Sequence, residues 1–480
     1  TQKVSPRASP PATRLPVSPM SLKTYQRYLG EGRALLAIAW PMVIAQLAQM
    51  GTGVVDTIMA GRYSAIDLAA SAIGYNIWLP LYLFTLGVML AATAIIAQDF
   101  GAGRLQKIRD ALPQSLWLAV TLGLIAGPLC FSTDPLLALL SLDPTTHDKS
   151  LDYLQAVAFG LPATVIFQAL RCHAQGIGIL RPFAIASVIG FCANVPLNYA
   201  FIYGHWGIPE MGAAGCGWAT AISMWLSPIL IAFYTARAEN LKPYLPPFRM
   251  VSPHWPTIAE ILRLGFPIGL TFFLEIGVFS LIGLFIATLG NVAMAAHQIA
   301  YNIFDVLYMP LISIGSAMAT RVGHAIGSSD RARVMLAVRC GTGMTMLMGL
   351  ASMALLVSLP GLIVSAYTHD GDINDLALTL IHLAAVFIVI DSAAVSATVC
   401  LRAFKDTRVP FLITCVVYWL FILPLGYWMG LMRAETMAEG TAAFWKALIL
   451  GLLICSVLIV ARLYQTLRRP LPPAGPETCL

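Results

Sequence analysis

Apolar residues gather into runs long enough to cross a bilayer, separated by short polar stretches. The runs fall at 34–60, 70–98, 113–133, 151–175, 181–203 and 214–237, then at 260–288, 295–325, 334–359, 377–401, 409–432 and 442–466. A helix needs about 20 apolar residues to span the hydrocarbon core, and every run meets that length. The pattern predicts an all-α integral membrane protein with twelve transmembrane helices.

The pattern also repeats. Ala69 to Tyr82, AASAIGYNIWLPLY, returns 226 positions later at Ala295 to Tyr308 as AAHQIAYNIFDVLY. Pro41, Gly51, Tyr75, Asn76 and Gly101 reappear without gaps as Pro267, Gly277, Tyr301, Asn302 and Gly327. Further on the offset drifts to 228, where Pro182 meets Pro410 and Pro196 meets Pro424. The chain is therefore two related halves. Six spans per half is an even number, so both halves enter the membrane in the same direction and the internal repeat is parallel. The expected domains are a disordered cytoplasmic tail at 1–33, a six-helix bundle at 34–237, a Pro-rich cytoplasmic linker at 238–259, a second six-helix bundle at 260–466 and a cytoplasmic tail at 467–480. The seam between two such bundles, near the bilayer midplane, is the natural substrate site.

Composition agrees with the pattern: 58% of the 480 residues are apolar and 11% charged, against about a quarter charged in soluble domains. The formal charge of +6 hides a one-sided distribution, because 25 of the 29 Lys and Arg residues fall on the side of the tails and the even-numbered connections. That side is cytoplasmic by the basic-residue bias, which places both termini inside. The charge therefore orients the chain in a membrane, and no nucleic-acid partner is expected. The nine cysteines form no CxxC pair, and no GxxxxGK[ST], HExxH or GxSxG occurs. Neither a cofactor nor an enzyme activity is expected, and ATP is not the energy source.

Four acids interrupt the apolar runs: Asp56, Glu275, Asp305 and Asp391. A charge at the centre of a lone membrane helix costs about 2.5–3.5 kcal/mol or more, so such residues face a cavity and do work there. The repeat does not copy them. Asp56 corresponds to Ile282, Glu275 to Gln49 and Asp305 to Leu79, and the fourth span has no interior acid to match Asp391. A shared scaffold with unshared charges predicts two unequal pockets. Around Asp56, Asn194 and Asn198 are four apart and present their amides on one helix face. Pro41, fifteen residues before Asp56, is a candidate hinge. In the second half Glu275, Asp391 and Asp305 together offer a cation site, with the Tyr308 hydroxyl three residues after Asp305. Carboxylates crowded in a low dielectric disfavour each other's charged forms, which makes a proton carrier. Converging oxygens would instead make a sodium site, and the sequence leaves both open. Abundant Met and aromatic residues suit flat apolar cations.

Several stretches together resemble the MATE (multidrug and toxic compound extrusion) family, in particular its NorM-type bacterial branch. They are WPMVIAQLAQMGTGVVDTIMAGR, the repeated AAxxIxYNI, LRAFKDTRVP at 401–410 and LPLGYWMG at 423–430. The resemblance covers about 34–466. It implies a V of two six-helix bundles that exports organic cations, such as planar aromatic dyes and drugs, in exchange for protons or sodium. Carried across, the first-helix acid is Asp56, the seventh-helix acid Glu275, the tenth-helix acid Asp391 and the eighth-helix tyrosine Tyr308, with sodium implied at Glu275, Tyr308 and Asp391. Asp56, Asp391 and Asp370, the last in an outward loop, are implied substrate contacts. One position near Asp56 that is acidic in some relatives is Asn198 here, which argues against sodium in the first bundle. The expectation is a monomeric multi-pass antiporter of the bacterial inner membrane that contacts lipid and confers antibiotic resistance. The alternative on the same scaffold is a flippase for a lipid-linked or amphiphilic metabolite.

Overall fold

The structure, a computed structural model, describes residues 22–140, 142–239, 241–245, 251–368 and 370–471. Among these residues it is helical throughout, with no strand. The long helices are α1 (Leu22–Tyr63), α2 (Ala65–Gly101), α3 (Leu105–Phe131), α4 (Pro144–Ala158), α5 (Leu161–Ile177), α6 (Arg181–Tyr203) and α7 (Gly212–Arg237) in the first half. The second half contributes α8 (Trp255–Ala287), α9 (Asn291–Gly327), α10 (Arg331–Ser358), α11 (Gly371–Ala403), α12 (Arg408–Met432) and α13 (Met437–Arg468).

Eleven helices are long and apolar enough to span a membrane, and the count reaches twelve when α4 and α5 form one span bent by 42°. The apolar run at 151–175 is therefore a broken helix. Gly160 sits at the break, where a Cβ would come within 2.5 Å of Met224 Sδ, and Pro162 restarts the helix. In α12, Pro424 lacks an N–H, and wider π-helical turns at Val416–Ile422 and Trp428–Met432 flank it.

Several expected boundaries move. Residues 22–33 belong to α1, which extends beyond the apolar part of the span. Residues 255–259 open α8, where Pro256 occupies the first turn, and α13 runs on to Arg468. The expected tail residues 1–21 and 472–480, and linker residues 246–250, lie outside the described residues.

The halves pack around a pseudo-twofold axis. Gly101, which ends α2, lies against the carbonyl of His324 on α9, and Gly327, which ends α9, lies against the carbonyl of Gln98 on α2. These four residues are two pairs offset by 226. Gln98 Nε2 donates to the Ala403 carbonyl at 2.7 Å, and His324 Nε2 lies 2.7 Å from the Gly176 carbonyl. The acceptors are offset by 227. Left-handed Gly178 (φ 84°) and Lys405 (φ 61°) close α5 and α11 in the same way, with Ile179 N bonded to Ala174 O and Asp406 N to Leu401 O. The registry at the ends of α5 and α11 is thus 227, intermediate between the two offsets visible in sequence. Midway along the helices Gly87 meets Gly269, where a Cβ would fall 2.5 Å from the neighbouring Cα. Small residues at such crossings let backbones approach closely, since helix association in lipid depends on close packing.

Candidate substrate and ion site

In the first half, α1, α6 and α7 converge on Asp56. Asn198 Nδ2 donates to Asp56 Oδ1 at 2.5 Å and to Asn194 Oδ1 at 2.9 Å. Both asparagines, four residues apart on α6, are fully buried. The second carboxylate oxygen accepts from Thr220 Oγ1 at 3.0 Å. Asn194 Nδ2 and Asn198 Oδ1 remain buried without a partner. The cluster therefore holds one acid with neutral donors and keeps spare hydrogen-bonding capacity.

In the second half, α8, α9 and α11 bring Glu275, Tyr308 and Asp391 within electrostatic range of one another. Asp391 is buried and Glu275 half-buried. Ser392 and Ser396, also buried, donate their hydroxyls to the Val389 and Ala393 carbonyls of their own helix. Asp305 does not join this pair. It lies in range of Tyr308 and Tyr301 on α9 and of Tyr75 on α2. Among the described residues no three His, Cys, Asp or Glu side chains converge as a metal site.

Asp370 is exposed and caps α11, accepting from Asp372 N at 3.1 Å and Ile373 N at 3.3 Å. It precedes Asp391 by 21 residues on the same helix, roughly 31 Å along the axis, so one small molecule cannot touch both. α1 passes through Pro41 without interruption.

A profile described as MatE matches residues 41–200 and 267–428, one segment in each half and offset like the repeat. The chain belongs to the MATE family. It is 38% identical over 448 residues to multidrug resistance protein MdtK of Edwardsiella ictaluri (strain 93-146), covering 93% of this chain and 98% of that protein. Its fold matches the eukaryotic MATE transporter AtDTX14, with a TM-score of 0.82 at 17% identity over 92% of this chain and 99% of the other. It equally matches an outward-facing multidrug resistance MATE transporter of the MOP superfamily, with a TM-score of 0.82 at 18% identity over 92% and 97% of the two chains. The chain is thus a multi-pass membrane transporter and not an enzyme.

Several residues of this MATE protein escaped sequence reasoning. Thr220 was one hydroxyl among many on an apolar helix. Glu31 lay in the expected tail, yet it makes a two-pronged ion pair with Arg321, with N–O distances of 2.7 Å, joining α1 to α9 across the seam. Tyr82 accepts from Gln49 and Gln168, each at 3.0 Å, and stacks on Trp78 with centroids 4.9 Å apart. Arg402 counted as one more basic residue of a connection, but its side chain lines the seam.

Proposed function

We propose that this protein exports organic cations across a bacterial inner membrane by antiport with protons or sodium, through alternating access of its two bundles. One observation carries the reading. Each bundle holds carboxylates inside its spans that, among the described residues, no lysine or arginine meets at ion-pair distance, Asp56 in one and Glu275 with Asp391 in the other. Such groups attract a cation, and they release it when a proton or sodium ion takes their charge. Glu275, Asp391 and Asp56 are the coupling acids. Asn194, Asn198 and Thr220 hold Asp56, Tyr308 serves the second pair, and Asp305 and Tyr75 line the way in.

The relative MdtK is named for multidrug resistance, which supports drug-like cations as cargo. With the basic side inside, both termini are cytoplasmic and the closed ends of α2 and α9 seal the cytoplasmic face. This chain then shares the outward-facing state of one solved relative. Pro41 on α1 is the candidate bending point for return. A flippase for anionic amphiphiles would need a cavity of net positive charge, whereas the ionisable residues that interrupt the apolar runs are the acids Asp56, Glu275, Asp305 and Asp391.

Purified protein in liposomes loaded with a fluorescent planar cation tests the reading. Under separately imposed pH and sodium gradients, wild type should move dye and Asp391→Asn should not. The effective gradient names the ion. No movement under either gradient overturns the antiporter.

A further inference from the structure

The basic ends of the helices hold several arginines and lysines, and those turned into the protein are mostly paired. Arg321 binds Glu31, Lys405 binds Glu260, and Arg462 binds Asp406. Arg402 differs. It stands in the last turn of α11 and lines a cavity of about 30 Å³ on the pseudo-twofold axis, with Thr93, Gln175, Ser316 and Val399. Among the described residues no carboxylate reaches ion-pair distance of it, and its guanidinium carbon lies 5.1 Å from the centroid of the Phe272 ring. Facing the same cavity, Gln175 is 2% exposed and its Oε1 has no hydrogen-bond partner. A donor-rich group without an acceptor and a buried acceptor without a donor therefore share one small polar space.

Helical geometry links Arg402 to the acids. Phe272, on which it rests, is three residues before Glu275 on α8, about one turn along the same face. Asp391 is eleven residues before Arg402 on α11, about three full turns, which returns it to the same face. Tyr308 of α9, Tyr418 of α12 and Cys455 of α13 also face the acid pair, and all three are neutral groups. Arg402 is thus the cation in range of Glu275. The repeat strengthens the link. At the registry of 226 Glu275 replaces Gln49, and at the registry of 227 Arg402 replaces Gln175. The half that lacks the acid lacks the arginine, and carries an amide in both places.

We propose that Arg402 is the built-in counter-charge of the Glu275–Asp391 pair. It leans toward Glu275 when ion and cargo have left, and withdraws to Gln175 when either arrives. Two carboxylates and one guanidinium leave a single negative charge, which one monovalent cation or one proton neutralises. Arg402 is a positioning residue that acts through Glu275, and the inference rests on the antiporter reading.

The test is equilibrium binding of tetraphenylphosphonium to the purified, monodisperse protein between pH 5 and 9. Removing a positive charge beside the acids strengthens their hold on any cation. R402Q should bind about tenfold more tightly at high pH, and protons should displace the probe at a proton concentration about tenfold lower. R402K should stay close to wild type. In the E275Q background, R402Q should add little, since the group it acts through is gone. Wild-type affinity and pH midpoint in R402Q, or an R402K that behaves like R402Q, would overturn the proposal. A wild type that neither binds the probe nor moves dye in liposomes defeats the antiporter reading and this one with it. A wild type that does both, with R402Q unchanged, defeats this one alone.

Discussion

Gln49 donates its amide to the Tyr82 hydroxyl at 3.0 Å, and the residues 226 positions further on are Glu275 and Tyr308. One pair of positions thus occurs twice, once with an amide and once with a carboxylic acid. In the first half the tyrosine hydroxyl accepts two amides, from Gln49 and Gln168, and its ring stacks on Trp78. In the second half the described residues make no hydrogen bond to the Tyr308 hydroxyl, which is left near Glu275 and Asp391. The first tyrosine hydroxyl is thus engaged by two amides, and the second is not.

The two tyrosines should therefore respond oppositely to loss of the hydroxyl. Tyr82→Phe leaves the Nε2 groups of Gln49 and Gln168 without their acceptor, at a cost of about 1–3 kcal/mol. It should lower the unfolding temperature and leave the ion dependence of transport unchanged. Tyr308→Phe should barely move the unfolding temperature and should raise the ion concentration needed for half-maximal transport. Thermal unfolding in detergent and gradient-driven dye movement read the two effects. Equal loss of stability in both variants would contradict the distinction.

A second contrast lies at Asp56. Asp56→Asn keeps the size of the side chain and removes the charge, so fold stability should change by less than about 1 kcal/mol, while coupled transport is lost. Asn198→Ala keeps the charge and removes its 2.5 Å donor inside the bundle. An acid deprived of its donor in a buried site costs about 1–3 kcal/mol, so Asn198→Ala should be the less stable variant. Adding Asp56→Asn to Asn198→Ala should recover part of that loss, because no charge then needs solvation. Full ion-driven transport by Asp56→Asn would remove the first bundle from the coupling mechanism.

What sequence could and could not show follows from the reach of each signal. Hydropathy reads a span because every residue in it must satisfy the same solvent, so the twelve runs were plain. It is blind to a bend inside a run. Gly160 and Pro162 break the fourth span without adding a polar residue, and only the packing of Gly160 against Met224 and Ala221 reveals the break. Acids stood out because each is costly where it lies, and Asp56, Glu275 and Asp391 were found that way. Their company was harder to see. Thr220 and Gln168 carry ordinary side chains, and Glu31 and Arg402 lie among charges at the helix ends. Their significance depends on which way each points, which only the meeting of distant helices decides. Asp305, three residues before Tyr308, lies in range of that tyrosine and also of Tyr75 and Tyr301, which its place in the sequence did not show.

The seal at the basic ends gives the last prediction. Glu31 on α1 and Arg321 on α9 form their ion pair across the seam with side chains 10% and 21% exposed. Breaking a largely buried pair by removing one partner costs about 3–5 kcal/mol, since the other charge is stranded. In a transporter that cost falls on the one state in which the pair forms. Glu31→Gln should therefore shift the population toward the state open on the basic side. A cysteine placed at Ala319, beside the seam cavity, in a variant otherwise free of cysteine, reports the shift. A water-soluble maleimide added from the basic side should label it several times faster in Glu31→Gln than with the pair intact. The charge-exchanged variant, Glu31→Arg with Arg321→Glu, should restore slow labelling because it rebuilds the contact. Gly327→Leu provides a check by a different route. Its side chain would meet the Gln98 carbonyl and hold the ends of α2 and α9 apart, so labelling should again be fast with the ion pair unaltered in sequence. Slow labelling in both Glu31→Gln and Gly327→Leu would mean that these contacts do not close the basic face.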